Sequence, residues 1–298
     1  MLSITSYIKE QAERVHQALD EYMEKMDSLP SVLRDSMRYS LLAGGKRLRP
    51  VLVLATVESL GGNPAKALPF ACSVEMIHTY SLIHDDLPSM DDDDYRRGKP
   101  TNHKVFGEAQ AILAGDALLT EAFGLMASGA KEISLPGEIA LTIIEEGARC
   151  AGARGMVGGQ VDDLLSENRL IGIDELESIH RRKTSDLIVF SVRLGAYLCQ
   201  ANRNLLEALT RFACQLGLAF QIQDDILDVT STREVMGKSA GSDLKRNKAT
   251  YPALIGLEAS QRKLKEITDN AKQQIMNKPG LQSRKLLEIA DYLLSRDH

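Results

Sequence analysis

Tryptophan is absent from the 298 residues and aromatics make up only 5%, yet 44% of the chain is hydrophobic and 26% charged. That balance is ordinary for a globular protein with a large core and excludes a disordered chain. Net positive charge is lacking too. At −5, bulk attraction to nucleic acid is excluded, and any anionic ligand has to meet local clusters of Lys and Arg. The four cysteines (Cys72, Cys150, Cys199 and Cys214) form no C-x-x-C pair and fall in apolar helical patterns, so buried free thiols in a reducing compartment are expected. No Cys/His spacing supports zinc. The first residues, MLSITSYIKEQAERVH, lack an apolar segment followed by a cleavage site, and no stretch reaches ~18 apolar residues. A cytoplasmic protein without a membrane span is the expectation.

Runs of alternating β-branched residues are missing as well, whereas apolar residues at helical spacing fill long segments. Ile179, Leu187, Leu194 and Leu198 share one stripe, and Leu205, Leu209, Phe212 and Leu216 another. The chain therefore reads as all-α. Breaks fall at Leu29-Pro30, Gly44-Gly45 to Pro50, Gly61-Gly62-Asn63-Pro64 and Leu135-Pro136-Gly137, none long enough for an interdomain linker, so 1–298 is read as a single large helical domain.

What the chain does have is acid at two helix ends. HDDLPSMDDDD crowds six aspartates into ten positions after the apolar segment LPFACSVEMIHTYSLIH. Two carboxylates ~5 Å apart repel by roughly 3 kcal/mol at an effective dielectric near 20, so the cluster needs bulk water or bound cations. Pro88 disfavours a regular helix through Leu87, and a break there can turn Asp91 back toward Asp85. Far along the chain, LGLAFQIQDDILDV places Gln221, Asp224 or Asp225, and Asp228 on one face of another apolar helix. Oxygen-only donors in this number suit Mg²⁺ or Mn²⁺ completed by waters and substrate phosphates.

Three basic patches accompany them: Lys46, Arg47 and Arg49 in AGGKRLRP; Arg96, Arg97 and Lys99; and Lys238 with Lys248. In the first, Pro50 can open a helix and so place the cations beside free backbone N–H groups. Divalent cations would bridge the carboxylates to a phosphorylated substrate while arginines grip its remaining oxygens.

GGKRLRP, HDDLPSMDDDDYRRG, GGQ at 158–160, HRRKT at 180–184, FQIQDDILD and GKSAGSDLKRNKATYPAL together, in order and spacing, resemble trans-prenyltransferases of the short-chain isoprenyl diphosphate synthase family. The resemblance implies an isoprenoid-synthase-type bundle around a central active-site cavity. It implies Mg²⁺-dependent head-to-tail condensation of isopentenyl diphosphate with dimethylallyl and then geranyl diphosphate, in a homodimer. By matched motif positions, Asp85 and Asp91 would bind two of three Mg²⁺ ions per active site and Asp224 the third. Arg96, Lys183 and Lys238 would contact the allylic diphosphate, and Lys46, Arg49, His78 and Arg97 the isopentenyl diphosphate, with Lys248 also on the substrate side. Thr184 and Gln221 would face the developing carbocation, and residues 231–250 are candidates for a lid. The resemblance leaves open whether Asp86, Asp92, Asp93, Asp94, Asp225 and Asp228 touch metal. Ser185-Asp186 stands where relatives often carry Gly-Ala. Tyr80, with Ser81, lies about one turn before Asp85, where its bulk would stop the chain early, and the resemblance implies that an aromatic at this position goes with a C15 product, with C20 the alternative. A terpene cyclase needs no second anion site, and a regulatory subunit would have lost an aspartate motif, so both rivals fit the motif series less well.

Overall fold

A computed structural model describes residues 3–26, 28–230 and 249–295. It divides into two compact units, one of residues Met1–Leu54 and Asn63–Ile144, the other of Ala55–Gly62 and Glu145–His298.

In the first unit, α1 (Ile4–Glu24) starts where the Ser3 hydroxyl accepts the Ser6 amide. Pro30 precedes α2 (Ser31–Leu41). The third helix, α3 (Leu48–Ser59), begins two residues before Pro50. Pro50 thus sits within the first turn rather than opening the helix, where its missing N–H costs no intrahelical bond. The next helix, α4 (Pro64–Asp85), has Asn63 as its cap, the side chain accepting the Ala65 amide, and Pro64 in its first turn. It carries Phe70, Val74 and Ile77 fully buried, so it forms the spine of this unit. Short strands β1 (Tyr95–Arg96) and β2 (Lys99–Pro100) form a hairpin that the helical periodicity did not anticipate. The small helix α5 (Asn102–Phe106) and the long α6 (Glu108–Glu132) follow, then α7 (Gly137–Ala151), which begins after Pro136 and runs into the second unit.

Against expectation, α6 is long and apolar enough to cross a membrane, with mean hydropathy 1.3. Ala111, Ala114 and Leu118 are fully buried on it, while Ile112 and Leu113 are exposed. Gly129 lets it approach α4 so closely that an added Cβ would stand 3.0 Å from Pro69. Asp116 and Glu121 lie midway along it, and Glu121 accepts the Tyr22 hydroxyl at 3.0 Å. An acid at the centre of a span costs about 2.5 to 3.5 kcal/mol, so we read α6 as a core helix.

The second unit holds α8 (Met156–Ser166), α9 (Ile173–His180), a π-helical turn (Arg181–Ser185), α10 (Asp186–Leu198) and α11 (Arg203–Thr230), then α12 (Tyr251–Ile255), α13 (Leu257–Ile275) and α14 (Arg284–Ser295). Leu205, Leu209, Phe212 and Leu216 are buried on α11, Ile179 on α9 and Leu187 and Leu194 on α10 are buried too, and Leu198 is half-buried. Farther along α11, Leu218, Ile222 and Ile226 join Ile179, Tyr251 and Leu264 in one apolar cluster. The expectation of buried thiols holds for Cys72 and Cys150 only; Cys199 is half-buried and Cys214 exposed. Cys199 caps the end of α10, and Cys214 lies off the buried stripe of α11.

Candidate active site

The acidic end of α4 folds back on itself. The helix stops at Asp85, the Met90 and Asp92 amides donate to the Leu87 carbonyl, and the Asp91 N–H donates to the Asp85 carbonyl at 2.8 Å. Pro88 cannot continue a helical ladder, and the loop satisfies its own backbone by this reversal. Asp86 is only 3% exposed, and Arg96 Nε donates to both its oxygens at 2.7 and 2.9 Å. The same guanidinium lies 3.6 Å from Asp93. Arg96 reaches this position through the hairpin, whose register pairs Tyr95 with Pro100 and leaves Arg97 and Gly98 as the turn, with φ of 54° and 75°. Positive φ at both central residues is the mark of a type I′ turn.

That turn carries Arg97 to the glycine loop. Its Nη1 donates to the Gly44 carbonyl, and a Cβ at Gly45 would stand 2.6 Å from Arg97 Cζ. Gly45 also has φ of +113°, a backbone conformation that strains any side chain there, and one would push the Arg97 guanidinium aside. Lys46 beside it is exposed. Arg47 was grouped above with the anion-binding cations, but it is 4% exposed and donates to Glu75 Oε1 and the Leu41 carbonyl, both at 2.5 Å. Its charge is consumed in the core. Arg49 instead donates to His78 Nε2 at 3.3 Å, so that nitrogen accepts and the proton of the neutral ring sits on Nδ1. Burial first, and then Arg49, Arg97, Arg96 and Arg47, hold His78 well below the usual imidazole range. The arginines that disfavour a charge on His78 are the groups that would attract an anion here.

Deeper on α4, Tyr80 is 5% exposed, and burial followed by the Asp85 charge pushes its phenol up to about 12. Its ring meets His84 edge to face at 5.7 Å between centroids. Ser81 donates to the His78 carbonyl at 2.9 Å.

In the second unit the GGQ stretch has a packing reason. A Cβ at Gly159 would fall 2.3 Å from the Lys183 amide nitrogen, so α8 lies directly on the π-turn. Lys183 Nζ donates to Asp163 Oδ2 at 2.6 Å, and Arg182 pairs with Asp162. The tandem acids three residues past Gly159 were the available signal for this pair, and the motif reading passed over them. Thr184 and Ser185 are buried. Ser185 packs directly on Gly217 of α11, where an added Cβ would fall 2.5 Å from Ser185 Cβ. Asp186 is less comfortable: burial raises its carboxyl to about 6, and nearby Arg149 and Arg182 only partly oppose the shift. A folded pKa above the unfolded ~3.9 means the native state binds the extra proton, so stability from this group is present below pH 4 and lost as pH rises through 6. Asp186→Asn should therefore raise the melting temperature at pH 7 and leave it nearly unchanged at pH 4, as thermal melts across that window would show.

On α11, Gln221 and Asp224 are half-buried, while Asp225 and Asp228 are buried. Asp225 Oδ2 accepts the Tyr251 amide at 2.9 Å and stands 3.3 Å from His180 Nε2. This carboxylate is committed to the fold, fastening the chain as it re-enters at α12. Asp228 Oδ2, by contrast, is buried and has no hydrogen-bond partner among the described residues. Such an oxygen is costly unless a cation completes it, which fits a divalent ion at this helix end. Among the described residues no three acidic, His or Cys side chains already converge as a metal cage. Mg²⁺ held by one or two carboxylates with phosphate oxygens and water does not need one. Lys238, Lys248 and 231–248 of the expected lid lie outside the described residues.

Residues 30–283 match the polyprenyl synthetase family model. The chain is 49% identical over 297 residues to a farnesyl diphosphate synthase of Geobacillus stearothermophilus, covering 100% of this chain and 99% of that one. It is 46% identical to a chloroplastic geranylgeranyl pyrophosphate synthase of Catharanthus roseus, covering 98% and 81%. A solved geranyltransferase from Helicobacter pylori, complexed with magnesium and isoprenyl diphosphate, superposes with a TM-score of 0.87 at 31% identity over 99% of each chain. The chain belongs to the polyprenyl synthetase family. Its fold is that of the isoprenoid synthases, and its chemistry is prenyl transfer.

Proposed function

We propose that this prenyltransferase condenses isopentenyl diphosphate head-to-tail with dimethylallyl and then geranyl diphosphate, releasing diphosphate at each step and yielding farnesyl diphosphate. The observation that carries the reading is in the first unit. A carboxylate loop folded back from Asp85 to Asp91 stands on the same helix as a neutral His78 ringed by Arg49, Arg96 and Arg97. Full-length identity to a farnesyl diphosphate synthase supports the same activity.

Breaking the allylic C–O bond leaves diphosphate and a carbocation, so positive charge must meet the leaving group while water is kept from the carbon. Mg²⁺, three ions per active site, would neutralise the departing diphosphate, with Asp85, Asp91 and Asp224 as its carboxylate ligands. Asp228, whose Oδ2 has no partner among the described residues, would join this set. Arg96, paired with Asp86 through Nε and Nη2, would present the rest of its guanidinium to phosphate oxygens. Lys183 spends one donor on Asp163 and has two left for the allylic diphosphate. Lys46, Arg49, His78 and Arg97 take the isopentenyl diphosphate, with Lys238 and Lys248 also on the diphosphates. Thr184 and Gln221 present oxygen dipoles to the cation, where a full carboxylate could trap it. The proton lost after C–C bond formation passes to the released diphosphate, so no protein base is required.

Tyr80 floors the prenyl pocket and sets C15 over C20. Purified protein given dimethylallyl and isopentenyl diphosphates should make farnesyl diphosphate only with Mg²⁺; diphosphate release without chain extension would favour a cyclase instead. Tyr80→Ala should move the main product to C20, read by chromatography of the dephosphorylated prenols, and an unchanged C15 product would remove Tyr80 from the account. We also read the protein as a cytoplasmic homodimer. Ile112 and Leu113 on α6 are 43% and 51% exposed, an apolar face that a second copy would cover.

A further inference from the structure

We propose that His84 is a product-length-determining positioning residue: its imidazole, lodged against Gly115 of α6, backs the Tyr80 ring and fixes how far the prenyl pocket extends. The inference rests on the reading of Tyr80 as the pocket floor and adds the residues that hold that floor in place.

His84 lies four residues after Tyr80 on α4, so the two side chains share a face. Their rings cross at 82° with centroids 5.7 Å apart, within the range of an edge-to-face pair. The imidazole itself is fixed from the other side. Its Nε2 lies 3.1 Å from the Ile112 carbonyl, and because a carbonyl can only accept, Nε2 carries the proton. A Cβ at position 115 would stand 2.2 Å from Nε2 and 2.5 Å from Cδ2. Gly115 is inside a helix with no unusual φ, so its lack of a side chain serves space rather than backbone freedom. The slot on α6 is thus shaped to one ring, and that ring restricts where the phenol of Tyr80 can swing. Tyr80 is 5% exposed, so its ring can move only where a neighbouring side chain gives way, and His84 is in ring contact with it.

The test is the C20 to C15 product ratio, with melting temperature followed in parallel. His84→Ala empties the slot, and the ratio should rise at least tenfold over the parent enzyme. His84→Gln keeps an N–H for the Ile112 carbonyl but removes the ring, and it should lengthen product as well; a role confined to the hydrogen bond would leave this variant at C15. In H84A/G115A the new methyl refills part of the slot, and the ratio should fall back at least threefold. Loss of rate with an unmoved ratio would mark His84 as merely a structural neighbour of Asp85. Unchanged ratios in H84A and H84Q, while Tyr80→Ala lengthens product, overturn the proposal and leave the Tyr80 reading intact. If Tyr80→Ala also stays at C15, the reading of the floor fails, and this inference with it.

Discussion

Asp85→Asn and Asp224→Asn should each lower kcat/KM by about a thousandfold at saturating Mg²⁺, and the double variant should lose little more. A thousandfold is about 4 kcal/mol of transition-state stabilisation, within what a metal-bound leaving group draws from one ligand. Residues that act on one group as a unit are strongly non-additive, so the double variant tests whether both carboxylates serve the same diphosphate. Fully multiplicative losses would assign them to independent sites and end the proposed mechanism. Asp225→Asn provides the contrast. Its oxygen holds the Tyr251 amide and neighbours His180, so the variant should lose stability first, with the Mg²⁺ concentration for half-maximal rate nearly unchanged. Titration of activity against Mg²⁺, beside urea unfolding of the same samples, separates the two behaviours.

Local chemistry explains which parts of this structure can be read from sequence. Pro30, Asn63-Pro64 and Pro136-Gly137 mark helix starts because their backbone constraints act within a few residues. The return of Asp91 to Asp85 follows from Pro88 in the same way. Pairings across distant segments are not encoded locally. Arg47 has the same neighbours in sequence as Lys46 and Arg49, and only a buried Glu75 twenty-eight residues on turns it into a core residue. Lys183 reads as a helix-start lysine until Asp163 and Gly159 are placed against it, and the π-turn that presents it has no composition signal. The hairpin of two-residue strands is too short for alternation to register, although Arg97-Gly98 is a plausible tight turn once φ is known. Gly217, which makes room for Ser185, lies on another helix thirty-two residues on.

Glu75→Ala should be among the most destabilising single substitutions in the protein. Both members of the Arg47–Glu75 pair are almost fully buried, with side chains 2% and 1% exposed. Removing one partner strands the other charge, which typically costs about 3 to 5 kcal/mol. For a chain of this size that corresponds to a melting temperature lower by roughly 10 °C, with each kcal/mol worth about 2 to 4 °C in domains of 150 to 250 residues. The Leu41 carbonyl still accepts from Arg47, but one neutral acceptor cannot replace a carboxylate. Removing both charges has a different sign: Arg47→Met with Glu75→Leu should recover most of the loss, because a desolvated pair returns little net stability over apolar groups of similar volume. The double variant also decides what Arg47 is for. If its guanidinium serves the fold alone, the refolded double variant should keep its KM for isopentenyl diphosphate within about threefold of the parent, less than the tenfold that 1.4 kcal/mol of lost binding would bring. A KM raised tenfold or more, in protein whose stability has been restored, would return Arg47 to the anion-binding set with Lys46, Arg49 and Arg97.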